Sequence, residues 1–133
     1  MTLGPAEAFA ALLLLIIAAD GQLTAEESSH LDVTLSRMHL FHGYPRDFLP
    51  QTFTKLCTLL NEVGTESLLT AAIAALPRDL YDTTYAIALD LAYVDGSIHP
   101  AEQALLERLQ TSLALPAATV TLLQEATAIR HKG

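Results

Sequence analysis

An all-α fold of about seven helices is what this 133-residue chain predicts, on three observations. Leu and Ala dominate, Trp is absent and only 6% of residues are aromatic. Ala and Leu lead the helix scale, whereas strands favour β-branched and aromatic residues. Apolar residues recur at helical spacing and no segment alternates strictly. Gly and Pro fall where helices would end and begin, leaving short connections. The length predicts one domain over 1–133, and 51% hydrophobic with 17% charged residues predicts a packed core rather than disorder.

The elements follow in order. Pro5 suits a first helical turn, where its missing N–H costs nothing. The unbroken apolar run Ala8 to Ala19 then predicts a first helix buried on every side. It is about half the length that spans a bilayer, and no Lys or Arg precedes it, which argues against a membrane span and a secretory leader. Gly21 ends this helix, since it accepts the left-handed conformation of a C-terminal cap. Thr24 and Glu27 form a capping box for a second helix reaching about Leu40, with Leu31, Leu35 and Met38 inward. Gly43, Pro45 and Pro50 make residues 41–50 a loop. A third helix runs from about Gln51 to Glu62 with Phe53, Leu56, Leu59, Leu60 and Val63 inward. Cys57 in this stretch reads as a small buried core residue. Gly64 interrupts, and Thr65 caps a short helix through Ala75. Pro77 opens a fifth helix to Val94, and Gly96 ends it. Pro100 opens a sixth to about Leu113 with His99 at its cap, and Pro116 begins a last one through about Ile129.

The formal net charge is −8, from 15 acidic and 7 basic residues. Such a balance repels phosphate backbones, and the only basic cluster is Arg130-His131-Lys132, so a nucleic-acid partner is not expected. The single cysteine forbids an intrachain disulfide and fits a reducing, cytoplasmic compartment. Gly-rich phosphate loops, His-Glu-x-x-His, Gly-x-Ser-x-Gly and paired cysteines are all missing, so an enzyme is not expected.

One motif occurs twice. Asp20-Gly21-Gln22-Leu23-Thr24-Ala25-Glu26-Glu27 and Asp95-Gly96-Ser97-Ile98-His99-Pro100-Ala101-Glu102 both read Asp-Gly-x-(Leu/Ile)-x-x-x-Glu, 75 positions apart. Each lies between two helical segments, which suggests two related αα-hairpins about an approximate two-fold axis. In one reading the Asp accepts turn N–H groups, the Leu or Ile plugs the hairpin, and the Glu caps the next helix at its positive end. In the other, Asp20, Glu27, Asp95 and Glu102 converge on a divalent cation, and all-oxygen ligation favours Ca²⁺ or Mg²⁺. The spacing is not that of an EF-hand, whose alternating ligand positions are here Gln22 and Thr24, or Ser97 and His99. His99 could add a nitrogen donor for Zn²⁺, which ranks behind the hard ions. His39 and His42, three apart, are weaker ligand candidates. Asp90 interrupts an apolar stretch and needs a partner; the acidic cluster, Tyr85, Tyr93 and solvent all stay open.

The segments Ala18-Ala19-Asp20-Gly21-Gln22-Leu23-Thr24-x-x-Glu27 and Leu91-Ala92-Tyr93-Val94-Asp95-Gly96-Ser97-Ile98-His99-Pro100-x-Glu102, with Leu109 and Leu113-Ala114-Leu115, resemble the tellurite-resistance TerB family. The resemblance implies an all-α domain with two related hairpins, a link to stress and tellurite resistance, and divalent-metal binding through Asp20, Glu27, Asp95 and Glu102. Gln22 and Ser97 stand where a more acidic version would carry further charge. A protein partner is the remaining expectation, with the oligomeric state open. An interaction module whose turns are purely structural caps is the alternative.

Overall fold

The computed structural model describes residues 2–19, 25–93 and 98–132, and the side chains of these apart from 17 and 25–30. Among the described residues six α-helices follow one another: α1 Pro5–Ile17, α2 Ala25–Ser36, α3 Phe48–Ala75, α4 Tyr81–Ala92, α5 Pro100–Ser112 and α6 Ala117–Arg130, with 3-10 turns at His39–Phe41 and Arg78–Leu80. No strand occurs among the described residues. Gly64 stands inside α3 at φ 84°, ψ 169°, so α3 is two helical arms, 48–63 and 65–75. That backbone region is essentially open to glycine alone. With α3 counted as two arms there are seven α-helical segments among the described residues, close to the sequence expectation of about seven.

α1 occupies the centre. Ala8 to Ile16 are all buried, which on a helix covers every face. α3 and α4 pack along it, and α5 touches it as well. Phe9 meets Phe41 of the first 3-10 turn edge-on, with centroids 6.2 Å apart. At its start Glu7 Oε1 accepts the Gly4 N–H at 3.0 Å, and the Glu7 carboxylate pairs with Lys55 of α3. The Gly4 N–H first and Lys55 second hold this carboxyl below its ordinary value.

The other helices bury one side. On α4, Thr84, Tyr85, Ala88, Leu89, Leu91 and Ala92 face inward. On α5, Leu106 and Leu109 do so. Leu31 and Leu35 of α2 join the same core, with Met38 half-buried beside them. A bidentate pair ties α5 to the second arm of α3, with Arg108 donating to both Glu66 oxygens at 2.6 and 2.7 Å. α5 ends in a Schellman arrangement: Leu115 N–H bonds Gln110 O, Ala114 N–H bonds Thr111 O, and Ala114 takes φ 51° where glycine is usual.

Several element details differ from the sequence reading. α1 ends at Ile17 and Ala18–Ala19 form a turn; α2 ends at Ser36 and gives way to the 3-10 turn. α3 begins at Phe48, inside the expected loop, because Pro50 falls at the third helical position, whose N–H has no intrahelical acceptor. Pro77 stays extended and the 3-10 turn precedes α4. Cys57 is exposed rather than buried. It sits one step round the helix from the buried Leu56, about 100° off the inward face. Val63 is also exposed, since residues 61–67 around the Gly64 break all face solvent. The helix ends expected at Gly21 and Gly96, and the box of Thr24 with Glu27, lie outside the described backbone or side chains.

Among the described residues no single helix is long and apolar enough to cross a membrane.

Candidate functional site

The residues forecast as a site gather at two junctions, α1 to α2 and α4 to α5. Asp20 and Asp95 lie outside the described residues, as does the side chain of Glu27, although its backbone is in the first turn of α2. His99 and Glu102 can be placed fully, and they belong to one device.

His99 is the N-cap of α5, with φ −65° and ψ 143°. Its Nδ1 accepts the Ala101 N–H at 3.1 Å. Glu102, three residues into the helix, reaches back so that its Oε1 accepts the His99 N–H at 3.1 Å. Two N–H groups that lack intrahelical partners are thereby satisfied reciprocally. Pro100 stands between them at the first helical position, where no N–H is needed. Glu102 is only 6% exposed, and its negative charge faces the positive end of the α5 dipole. Ile98, just before the cap, packs against the core, as the plug position of the motif requires.

This geometry bears on ligand chemistry. A neutral imidazole whose Nδ1 accepts a hydrogen bond carries its proton on Nε2. Binding a metal through Nε2 would move that proton to Nδ1 and break the cap. Glu102 is an oxygen donor whose Oε1 already accepts the His99 N–H. The donor chemistry therefore fits Ca²⁺ or Mg²⁺ better than Zn²⁺. Among the described residues no group of three His, Cys, Asp or Glu side chains could hold a metal, so a cation here would need the Asp-bearing turns.

The weaker candidates resolve differently. His39 and His42 lie edge-on to each other, 4.9 Å between centroids, and both are exposed. Asp90 bonds neither tyrosine. Its Oδ1 accepts from Arg130 at 2.7 Å and faces His131 Nε2 at 3.4 Å, and the His131 ring stacks on Tyr93. Tyr85, fully buried, receives the side-chain amides of Gln110 at 2.8 Å and Gln124 at 3.0 Å on its hydroxyl, a polar knot joining α4, α5 and α6. No local signal points to Arg130 or Gln124, because each meets its partner about forty positions away in the chain.

An all-helical domain wound round a buried first helix, with an acid-capped junction after α4, is the class of protein these features define. The family model described as Tellurite resistance protein TerB matches residues 6–125, and the chain belongs to that family. Neither the curated proteins nor the solved structures contain a match to the chain.

Proposed function

We propose that this protein is a non-enzymatic, cytoplasmic module of tellurite or wider stress resistance, and that a divalent cation held at its acidic turns tunes the surface it offers to a protein partner. Family membership supports the first part. The observation that carries the second is Glu102, a carboxylate kept nearly out of solvent at a helix start, seven residues after Asp95. Asp95 and Glu102 at one junction, and Asp20 and Glu27 at the other, are the proposed ligands. Ca²⁺ or Mg²⁺ is the proposed ion, with Zn²⁺ through His99 behind them because His99 Nδ1 is engaged in the cap. Neither nucleic acid nor a membrane interior is a proposed partner. Helix pairing fits a repeated hairpin: α1 lies on α4, and the cross-pairs α1 with α5 and α2 with α4 are those a two-fold axis would interchange. Leu31 and Leu106, equivalent at the 75-residue offset, are both core residues.

A second reading makes the turns purely structural caps within an interaction module, and the reciprocal His99–Glu102 bonds favour it. Calorimetric titration of the metal-free chain with Ca²⁺, Mg²⁺ and Zn²⁺, beside Asp20→Asn/Asp95→Asn and Glu102→Gln variants, separates the two. Saturable heat from Ca²⁺ or Mg²⁺, lost in the double variant while circular dichroism stays unchanged, is the expected result. No heat at millimolar ion would leave the caps as the whole role of the motif.

A further inference from the structure

Between α2 and α3 the chain forms a half-open cavity of about 370 Å³, whose described lining includes no residue of either acidic turn. Its apolar floor is Phe41, Phe48 and Leu49, and His42, Tyr44 and Arg46 stand at its rim. The aromatic rings are already ordered against each other. Tyr44 stacks on Phe48 with centroids 4.0 Å apart, and Phe48 leans on Phe41 at 6.3 Å. Gly43, at φ 92°, makes the turn that returns Tyr44 to this wall, a conformation disfavoured for other residues.

The charge of this segment is opposite to that of the whole chain. From Arg37 to Arg46 there are two arginines and two histidines and no acid, in a protein of net charge −8. Among the described residues no carboxylate lines the cavity. Asp47, the nearest acid in sequence, accepts from Gln51 Nε2 at 2.8 Å. Among the described residues the ion pairs engage Lys55, Arg108, Arg130 and His131, which leaves Arg46 without a carboxylate partner. An unpaired guanidinium beside an aromatic wall matches a carboxylate on a flat apolar body, since the planar fork binds carboxylates bidentately and the ring faces accept stacking. The volume lies within the range of small-molecule pockets.

We propose that this cavity binds a small organic anion of the aromatic carboxylate class, its ring against Tyr44 and Phe48 and its carboxylate on Arg46. The site is independent of the cation reading above.

The test is titration of the ¹⁵N-labelled full chain with 1-naphthoate, beside 1-naphthalenemethanol as a ring of the same shape without charge. Saturable amide shifts centred on Tyr44, Arg46, Phe48 and Leu49 are expected. Arg46→Gln and the neutral ring should each weaken binding by roughly tenfold or more, the worth of one charge-assisted contact. Arg37→Gln removes an equal charge from the same segment without touching the cavity lining, and should change affinity by less than about twofold, since exposed charge at a distance is screened. Shifts that map elsewhere, no saturation in the millimolar range, or equal losses in Arg46→Gln and Arg37→Gln would overturn the proposal. Arg46 is exposed, so its variant is expected to fold, and dispersion of the spectrum checks this directly.

Discussion

α1 and α6 are near equals in length, 13 and 14 residues, and both draw on Ala and aliphatic side chains. In α1 every residue from Ala8 to Ile16 is buried. In α6, Thr127 alone is fully buried, while Leu122 and Ile129 are 64% and 65% exposed. The difference is one of neighbours. α1 is covered by α3, α4 and α5, whereas α6 rests chiefly on α4. α6 is held by polar contacts as much as by packing: Gln124 on Tyr85 and Arg130 on Asp90. Apolar content sets how much surface a helix can usefully bury. The arrangement of its neighbours sets how much it does bury.

Paired truncations should show the largest difference between the two helices. Leu12→Ala in α1 is expected to cost about 2–5 kcal/mol, the range for opening a cavity in a rigid core. Leu122→Ala in α6 should stay within about 0.5 kcal/mol. Urea midpoints at constant slope measure both, and equal losses would break the contrast between the two helices. Next in size is Tyr85→Phe. It leaves two side-chain amides without their shared oxygen and should cost about 1–2 kcal/mol. Hydrogen exchange is expected to show α6 losing protection before α1 does.

Ala114→Gly should instead stabilise, by about 1 kcal/mol. A β-carbon at φ 51° is strained at the Schellman cap that leads into α6, and glycine relieves it. A neutral or negative result would mean that the left-handed residue is compensated elsewhere in the α5–α6 link.

The smallest expected effect lies at the start of α1. Glu7, held below its ordinary value of 4.5 by the Gly4 N–H and then by Lys55, contributes stability that is full above that value and lost as pH falls through the lower folded value. Lys55→Gln should therefore cost about 0.5 kcal/mol near neutral pH, since the pair is part-exposed. The gap from the parent should close only in acid below the lowered folded value. A gap that persisted there would assign the loss to the packing of the lysine stem instead.

Much of this was legible without a fold. The burial of α1 followed from an apolar run with no polar stripe, and the His99 cap from Pro100 and Glu102 at fixed offsets. Gly64 announced its break because only glycine tolerates that conformation. The exposure of Cys57 is not legible in the sequence, because a mixed apolar stretch leaves the edge of a helix face undefined by about one residue. The start of α3 is not legible either, because a proline at the third helical position looks the same in sequence as a proline in a loop.

Local physics therefore determined the helices, their caps and the acidic motif: propensity, missing N–H groups and left-handed glycines act within a few residues. The tertiary structure decided what those elements meet. It spent Asp90 on Arg130 and Tyr85 on Gln110 and Gln124, and it gathered Phe41, Tyr44, Arg46 and Phe48 around one cavity. It also exposed one side of α6 while burying Ala8 to Ile16 of α1 on every face. These outcomes depend on which helix faces lie against each other, and no residue encodes that alone, because packing is a property of pairs of surfaces brought together by the whole chain.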